Sequence, residues 1–202
     1  MKRRIIFPLT NRVQTLGGVL FPDDVGRDIL NITRQHRDDL LRAGEVVSFA
    51  LTGHGGDDSF VQVPMAYARQ LRQLCVPADE IEIARSTSAS TLHQCMAVAS
   101  VIANELNRTG RLLQQIHIVM YCEGWRRWRA QQIMSEVLLM FGQNSNRVVL
   151  QICSIPTQVS WTQRWHEIKN CCRFWWNRNS IKREIAENWH TAVSQRPLIC
   201  NL

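Results

Sequence analysis

Val46 to Gly56, VVSFALTGHGG, decides the fold. Val46, Val47, Phe49, Ala50 and Leu51 are apolar with no alternation, the pattern of a strand covered on both faces. Thr52, Gly53, His54, Gly55 and Gly56 follow without a spacer. Glycine permits positive φ and close approach of a ligand to the main chain. In open α/β sheets ligands sit beyond the carboxyl ends of the strands, where this turn falls. It reads either as a ligand loop or as a plain strand-to-helix connection.

Outward from this stretch, strands and helices alternate. On the amino-terminal side, Arg4 to Leu9 is a short strand candidate, Asn11 to Val25 a loop with Gly17, Gly18 and Pro22, and Val25 to Ala43 a helix. Asp23 and Asp24 stand at its cap and Gly44 at its end. Its predicted inner stripe is Ile29, Ile32, His36, Leu40 and Leu41. On the other side come a helix over Gln62 to Cys75, a strand over Glu80 to Ala84, and the hydroxyl-rich RSTSAST at Arg85 to Thr91. A helix follows through Leu92, Cys95, Ala99, Ile102 and Leu106. Strands at Gln115 to Tyr121 and Arg147 to Cys153 flank the junction CEGWRRWRA (Cys122 to Ala130), which opens another helix. Such alternation implies parallel strands with right-handed crossovers. The predicted fold is α/β, a Rossmann-like three-layer sandwich with a mostly parallel sheet and a C-terminal helical extension. The domain spans 1–156, and 157–202 packs on it.

The extension mixes Trp161, Trp165, Trp175, Trp176 and Trp189 with Arg164, Lys169, Arg173, Arg178, Lys182 and Arg183. Two helices fit, about 161–176 and 179–194. Their tryptophans either pack on the sheet edge or form a docking surface for membrane, nucleic acid or protein.

At 202 residues and 45% hydrophobic content the chain is long and apolar enough to bury a core, which excludes a disordered polypeptide. No apolar run reaches the roughly 18 residues of a membrane span. The start, MKRRIIFPLTNRV, lacks the features of a signal peptide, so the expected location is cytoplasmic. The seven cysteines include no C-x-x-C pair, and free thiols in a reducing compartment are expected. No metal site is predicted. A formal charge of +7 favours an anionic partner without choosing one.

Three junctions carry the candidate chemistry. Thr52, Gly53, His54, Gly55 and Gly56 form the first, with His54 the candidate acid or base. Ser86, Ser88, Ser90 and Thr91 form the second, at a helix N-terminus that either receives an anion or is merely capped. Arg126, Arg127 and Arg129 form the third. Cations at a helix N-terminus oppose its dipole, so they call for an anion or for a salt-bridge cluster that includes Glu123.

Together with Leu71-x-x-x-Cys75-Val76-Pro77, these junctions make residues 46 to 153 resemble the YdcF/SanA/ElyC-like domain family, and the helix from Val25 to Gly44 suits that family's opening helix. The chain keeps the Val-Pro pair, Ser88, Thr91 and the Arg129-Ala130 pair. It departs at Cys75, Ser90, His93, Gln94 and Arg126, where the family has Gly, Asn, Glu, Asn and His, and at Val63, where an acidic residue is expected. The resemblance implies a Rossmann-like sheet and a soluble, YdcF-type protein, with S-adenosylmethionine as the family-suggested ligand and cofactor and envelope-related roles among its anchored members. Two functions follow. One is a small-molecule-binding protein, catalytic or not, holding an anionic or nucleotide-like ligand. The other is a non-catalytic module docking through the basic, Trp-rich helices.

Overall fold

The computed structural model describes residues 2–9, 13–53, 62–86, 88, 90–109, 115–140, 147–194 and 198–199. Five parallel strands form the sheet: β1 (Lys2–Pro8), β4 (Val46–Leu51), β5 (Ile81–Ile83), β6 (Gln115–Glu123) and β7 (Val148–Ile155). Their spatial order is β7-β6-β1-β4-β5, and β8 (Leu198–Ile199) adds an antiparallel edge beside β5. This is the doubly wound Rossmann-like order. The winding reverses between β1 and β6, which opens a crevice at their carboxyl ends.

Alternation along the strands builds two apolar layers. Ile5 and Phe7 of β1, with Ile116, Ile118 and Met120 of β6, face α3 (Thr91–Thr109) and α4 (Arg127–Met140). Ile6, Phe49, Leu51 and Val119 face α1 (Asp24–Arg42) and α2 (Gln62–Gln73). Each such side chain contributes on the order of 1.5–3 kcal/mol on burial, so the two layers dominate the stability. The strand that opens the sequence reading is accordingly central.

The C-terminal helices, α5 (Trp161–Trp176) and α6 (Arg178–Ser194), complete the first layer rather than the sheet edge. Phe174 and Ile185 enter the core beside α3 and α4. The tryptophans of α5 stay outside: Trp161 is 84% and Trp176 88% exposed. The sheet-edge alternative is therefore overturned for these four, and the side chain of Trp189 lies outside the described ones. Phe174 is the side chain on the buried face, and the indoles lie on the far side.

Two further readings are corrected. Residues 13–22 are a hairpin, β2 (Val13–Leu16) and β3 (Val19–Pro22), where a loop was expected. Gly17 and Gly18 take φ of 57° and 79°, the two positive angles that a tight two-residue hairpin turn needs. The buried stripe of α1 is Gly26, Ile29, Leu30, Thr33, Arg37 and Leu40, so Ile32 and Leu41 stand exposed. Arg37 is buried because Glu80 takes its guanidinium through two hydrogen bonds of 2.5 and 2.7 Å.

The C-termini of α1 and α2 share one device. Glu45 N donates to Leu40 O and Gly44 N to Leu41 O; Val76 N donates to Leu71 O and Cys75 N to Arg72 O. Both are Schellman caps, whose turning residue needs left-handed backbone. Gly44 has φ of 74° and Cys75, without glycine's freedom, φ of 63°.

Candidate functional site

The carboxyl ends of β4, β5 and β6 carry the three predicted junctions. After β4, Thr52 is buried and its hydroxyl has no partner. A Cβ on Gly53 would fall 2.9 Å from Val63 Cγ1 and 3.0 Å from Pro64 Cδ. Gly53 therefore lets the first turn of α2 close onto the strand end, a packing role that a ligand loop does not require. His54, Gly55 and Gly56 lie outside the described residues.

The hydroxyls after β5 serve the loop and the helix. Ser86 Oγ donates to Ser88 O at 2.6 Å, and Ser90 N donates to Ser88 Oγ at 3.2 Å. Ser90 is the cap of α3, accepting from His93 N at 3.2 Å. Thr91 Oγ1 accepts from Arg126 Nη2 at 3.1 Å. That last bond joins the second junction to the third, as a shared rim requires.

The arginines divide. Arg126 reaches Glu123 at 3.8 Å, and burial, followed by the like charge of Arg129, lowers its pKa from the ordinary value. Arg129 Nε donates to Glu167 Oε1 at 2.8 Å. Arg127 is exposed. Two of the three cations therefore face carboxylates of the chain itself, and the counter-ion that the sequence calls for is supplied largely from within. This limits the arginines as an anion trap.

Beside this cluster a groove of about 820 Å³ opens. Its walls are the β6–α4 junction with Gly124, Trp125 and Trp128, the segment Pro156 to Val159 after β7, and the side of α5 with Glu167 and Ile168. A capping box fixes the start of α5: Gln163 N donates to Ser160 Oγ at 3.2 Å and Ser160 N to Gln163 Oε1 at 3.0 Å. The walls are mainly apolar, yet three buried polar atoms on them have no partner: Trp125 Nε1, Thr157 Oγ1 and Glu167 Oε2. Glu167 is only 5% exposed. An unsatisfied buried polar atom costs about 1–3 kcal/mol. Three around one groove, one from each wall, supply a donor, an acceptor and a hydroxyl that can act as either.

A second cavity, of about 260 Å³, lies among α3, α4, α5 and α6, lined by Thr91, Arg129, Asn170 and Arg173. Among the described residues no cluster of three or more His, Cys, Asp or Glu is placed to hold a metal. Cys95 and Cys122 are buried, and burial pushes their thiols up to about 12 and about 11. No described helix is long and apolar enough to cross a membrane.

Sequence reasoning put weight on the arginines of WRRWR and passed over the indoles between them. It also missed Thr157, Glu167 and Ile168. One signal was available: Glu167 is the single carboxylate between Trp161 and Arg183, amid six Lys and Arg. A lone acid in a basic helix calls for a cationic partner, which Arg129 supplies.

The fold is that of a Rossmann-like α/β protein, with a concave, Trp-lined groove at the carboxyl edge of its sheet. Compared with protein-family models, with curated proteins and with solved structures, the chain matches none.

Proposed function

We propose that this protein binds a small nucleoside-type molecule in the groove beside β6, β7 and α5, with S-adenosylmethionine the first candidate. The observation that carries the reading is the trio of buried polar atoms without partners, one from each apolar wall of the same groove. Such a lining, in a volume within the usual 300–1,000 Å³ range, is the common form of a small-molecule site. Trp125 and Trp128 line the groove with aromatic surface, with Arg126 over the Trp125 ring at 5.8 Å and Trp175 beside Trp128 at 6.2 Å. Trp125 Nε1–H donates to a ring nitrogen, Glu167 Oε2 accepts from a ribose hydroxyl, and Thr157 Oγ1 serves either side. A cationic sulfonium is favoured near indole faces and a carboxylate. The doubly wound order and the YdcF-type resemblance of residues 46 to 153 support the same class of ligand. No residue is assigned a bond-making role, and the reading is of binding.

A thermal-shift titration with S-adenosylmethionine, S-adenosylhomocysteine, adenosine, AMP and inorganic phosphate tests it. A ligand at ~100 times its dissociation constant adds about 2.7 kcal/mol of stability. Ile168→Arg, which fills the groove from an exposed position, abolishes that shift. No shift with any nucleoside contradicts the proposal. A shift with phosphate alone, lost in Arg127→Ala, moves the site to the arginine junction.

A further inference from the structure

We infer that α5 is an interfacial helix that docks the protein on an anionic lipid surface. At about 100° per residue, Trp161, Trp165, Ile168, Cys172, Trp175 and Trp176 recur at i, i+4, i+7, i+11, i+14 and i+15, within an arc of about 100°. The helix buries the opposite side through Glu167 and Phe174. The apolar arc is exposed along the element, with Trp165 58% and Ile168 52% exposed and Trp161 and Trp176 more so, while its Ile168 and Cys172 also form the rim of the groove and Trp175 lies beside Trp128. A contiguous exposed apolar face of this kind marks a contact surface.

Charge selects the partner. Arg164 borders the arc on one side and Lys169 on the other. The one carboxylate of α5, Glu167, points inward to Arg129. Tryptophan beside flanking Lys and Arg is the composition of helices that lie in the headgroup region, with indoles at the water–hydrocarbon boundary. Each basic residue near an anionic surface adds to the attraction, and salt screens it. The Arg164 guanidinium lies 5.6 Å from the Trp161 ring centre, the Lys169 ammonium 5.8 Å from Trp165, and Arg178 5.8 Å from Trp175. These contacts hold positive charge at the level of the indoles, where it meets the anionic headgroup layer of a lipid surface. With 16 residues the helix runs about 24 Å along the surface.

Cosedimentation of the full chain with vesicles tests this. Vesicles of phosphatidylcholine with phosphatidylglycerol are expected to carry the protein down and shift its tryptophan emission to the blue. Phosphatidylcholine alone, or high salt, leaves most of it in solution. Trp165→Ala with Trp176→Ala weakens binding by at least about tenfold. Arg164→Glu with Lys169→Glu does so too, by reversing the charge. The residues are exposed, so the melting temperature of both variants stays at the parent value. Protein that stays in solution with anionic vesicles, a tryptophan variant that binds as well as the parent, or preference for an oligonucleotide over the vesicles would overturn the inference.

Discussion

The two edges of the sheet are built on opposite terms. At the amino edge, most charged groups meet partners: Arg3 reaches Glu105 at 2.5 Å and Glu82 at 3.2 Å, with only its Nε buried and unpaired, Arg4 pairs with Glu45, and Arg37 pairs with Glu80. At the carboxyl edge, Trp125, Thr157 and Glu167 each hold a buried polar atom with no partner on the wall of an open groove. Ion pairs close the first edge, whereas the second keeps buried polar atoms around an open groove. A fold tolerates unsatisfied polar atoms where function requires them, and they cluster at such sites.

The largest effect is expected at the amino edge. Arg3→Ala removes the guanidinium shared by Glu82 and Glu105, whose side chains are 22% and 8% exposed. Stranding buried carboxylates costs about 3 kcal/mol, read as a lowered urea midpoint. A loss below ~0.5 kcal/mol would remove the contrast between the edges.

Next comes the anchor of the C-terminal helices. Burial raises the pKa of Glu136, but hydrogen bonds from Arg178 and Lys182 outweigh it and hold the carboxyl below its ordinary value. A carboxyl depressed in the folded state stabilises above its unfolded pKa and loses that contribution as pH falls through the folded one. Both cations are nearly half exposed, so the contribution is about 1 kcal/mol. Urea midpoints should therefore fall below pH 4.5 in the parent and flatten there in Glu136→Gln. Parallel curves would contradict the assignment.

Cys75→Gly places glycine where the backbone is already left-handed, as Gly44 does for α1. It should stabilise by about 1 kcal/mol, and Gly44→Ala should destabilise by a similar amount. The smallest effect is the most telling. Thr157→Val removes a buried hydroxyl that has no partner, so it should be neutral or stabilising by up to about 1 kcal/mol while weakening ligand. A destabilisation of that size instead would mean the hydroxyl is already satisfied.

The sheet was legible because its signal is local. VVSFAL and QIHIVM are apolar runs of strand length, and their alternation with helices fixes the winding. The hairpin escaped because β2 and β3 are only four residues each, and Gly17-Gly18 and Pro22 read equally well as loop. The α1 stripe slipped because Gly26, Thr33 and Arg37 are not apolar, yet packing and the Glu80 pair bury them. The hydroxyl and arginine junctions were located along the chain, but their hydrogen bonds were not foreseeable from composition. The groove was out of reach for another reason: Trp125, Thr157 and Glu167 belong to three segments that only the folded chain brings together.

The indole resonance of Trp125 gives the most direct test. Its Nε1–H is buried on the groove wall without an acceptor. Titration with S-adenosylmethionine or adenosine, followed in a proton–nitrogen correlation spectrum, should move that resonance to saturation in the parent and leave it in place in Ile168→Arg. A Trp125 signal that stays fixed with every nucleoside, in a protein that is folded and dispersed, would contradict the assignment of this groove as the binding site.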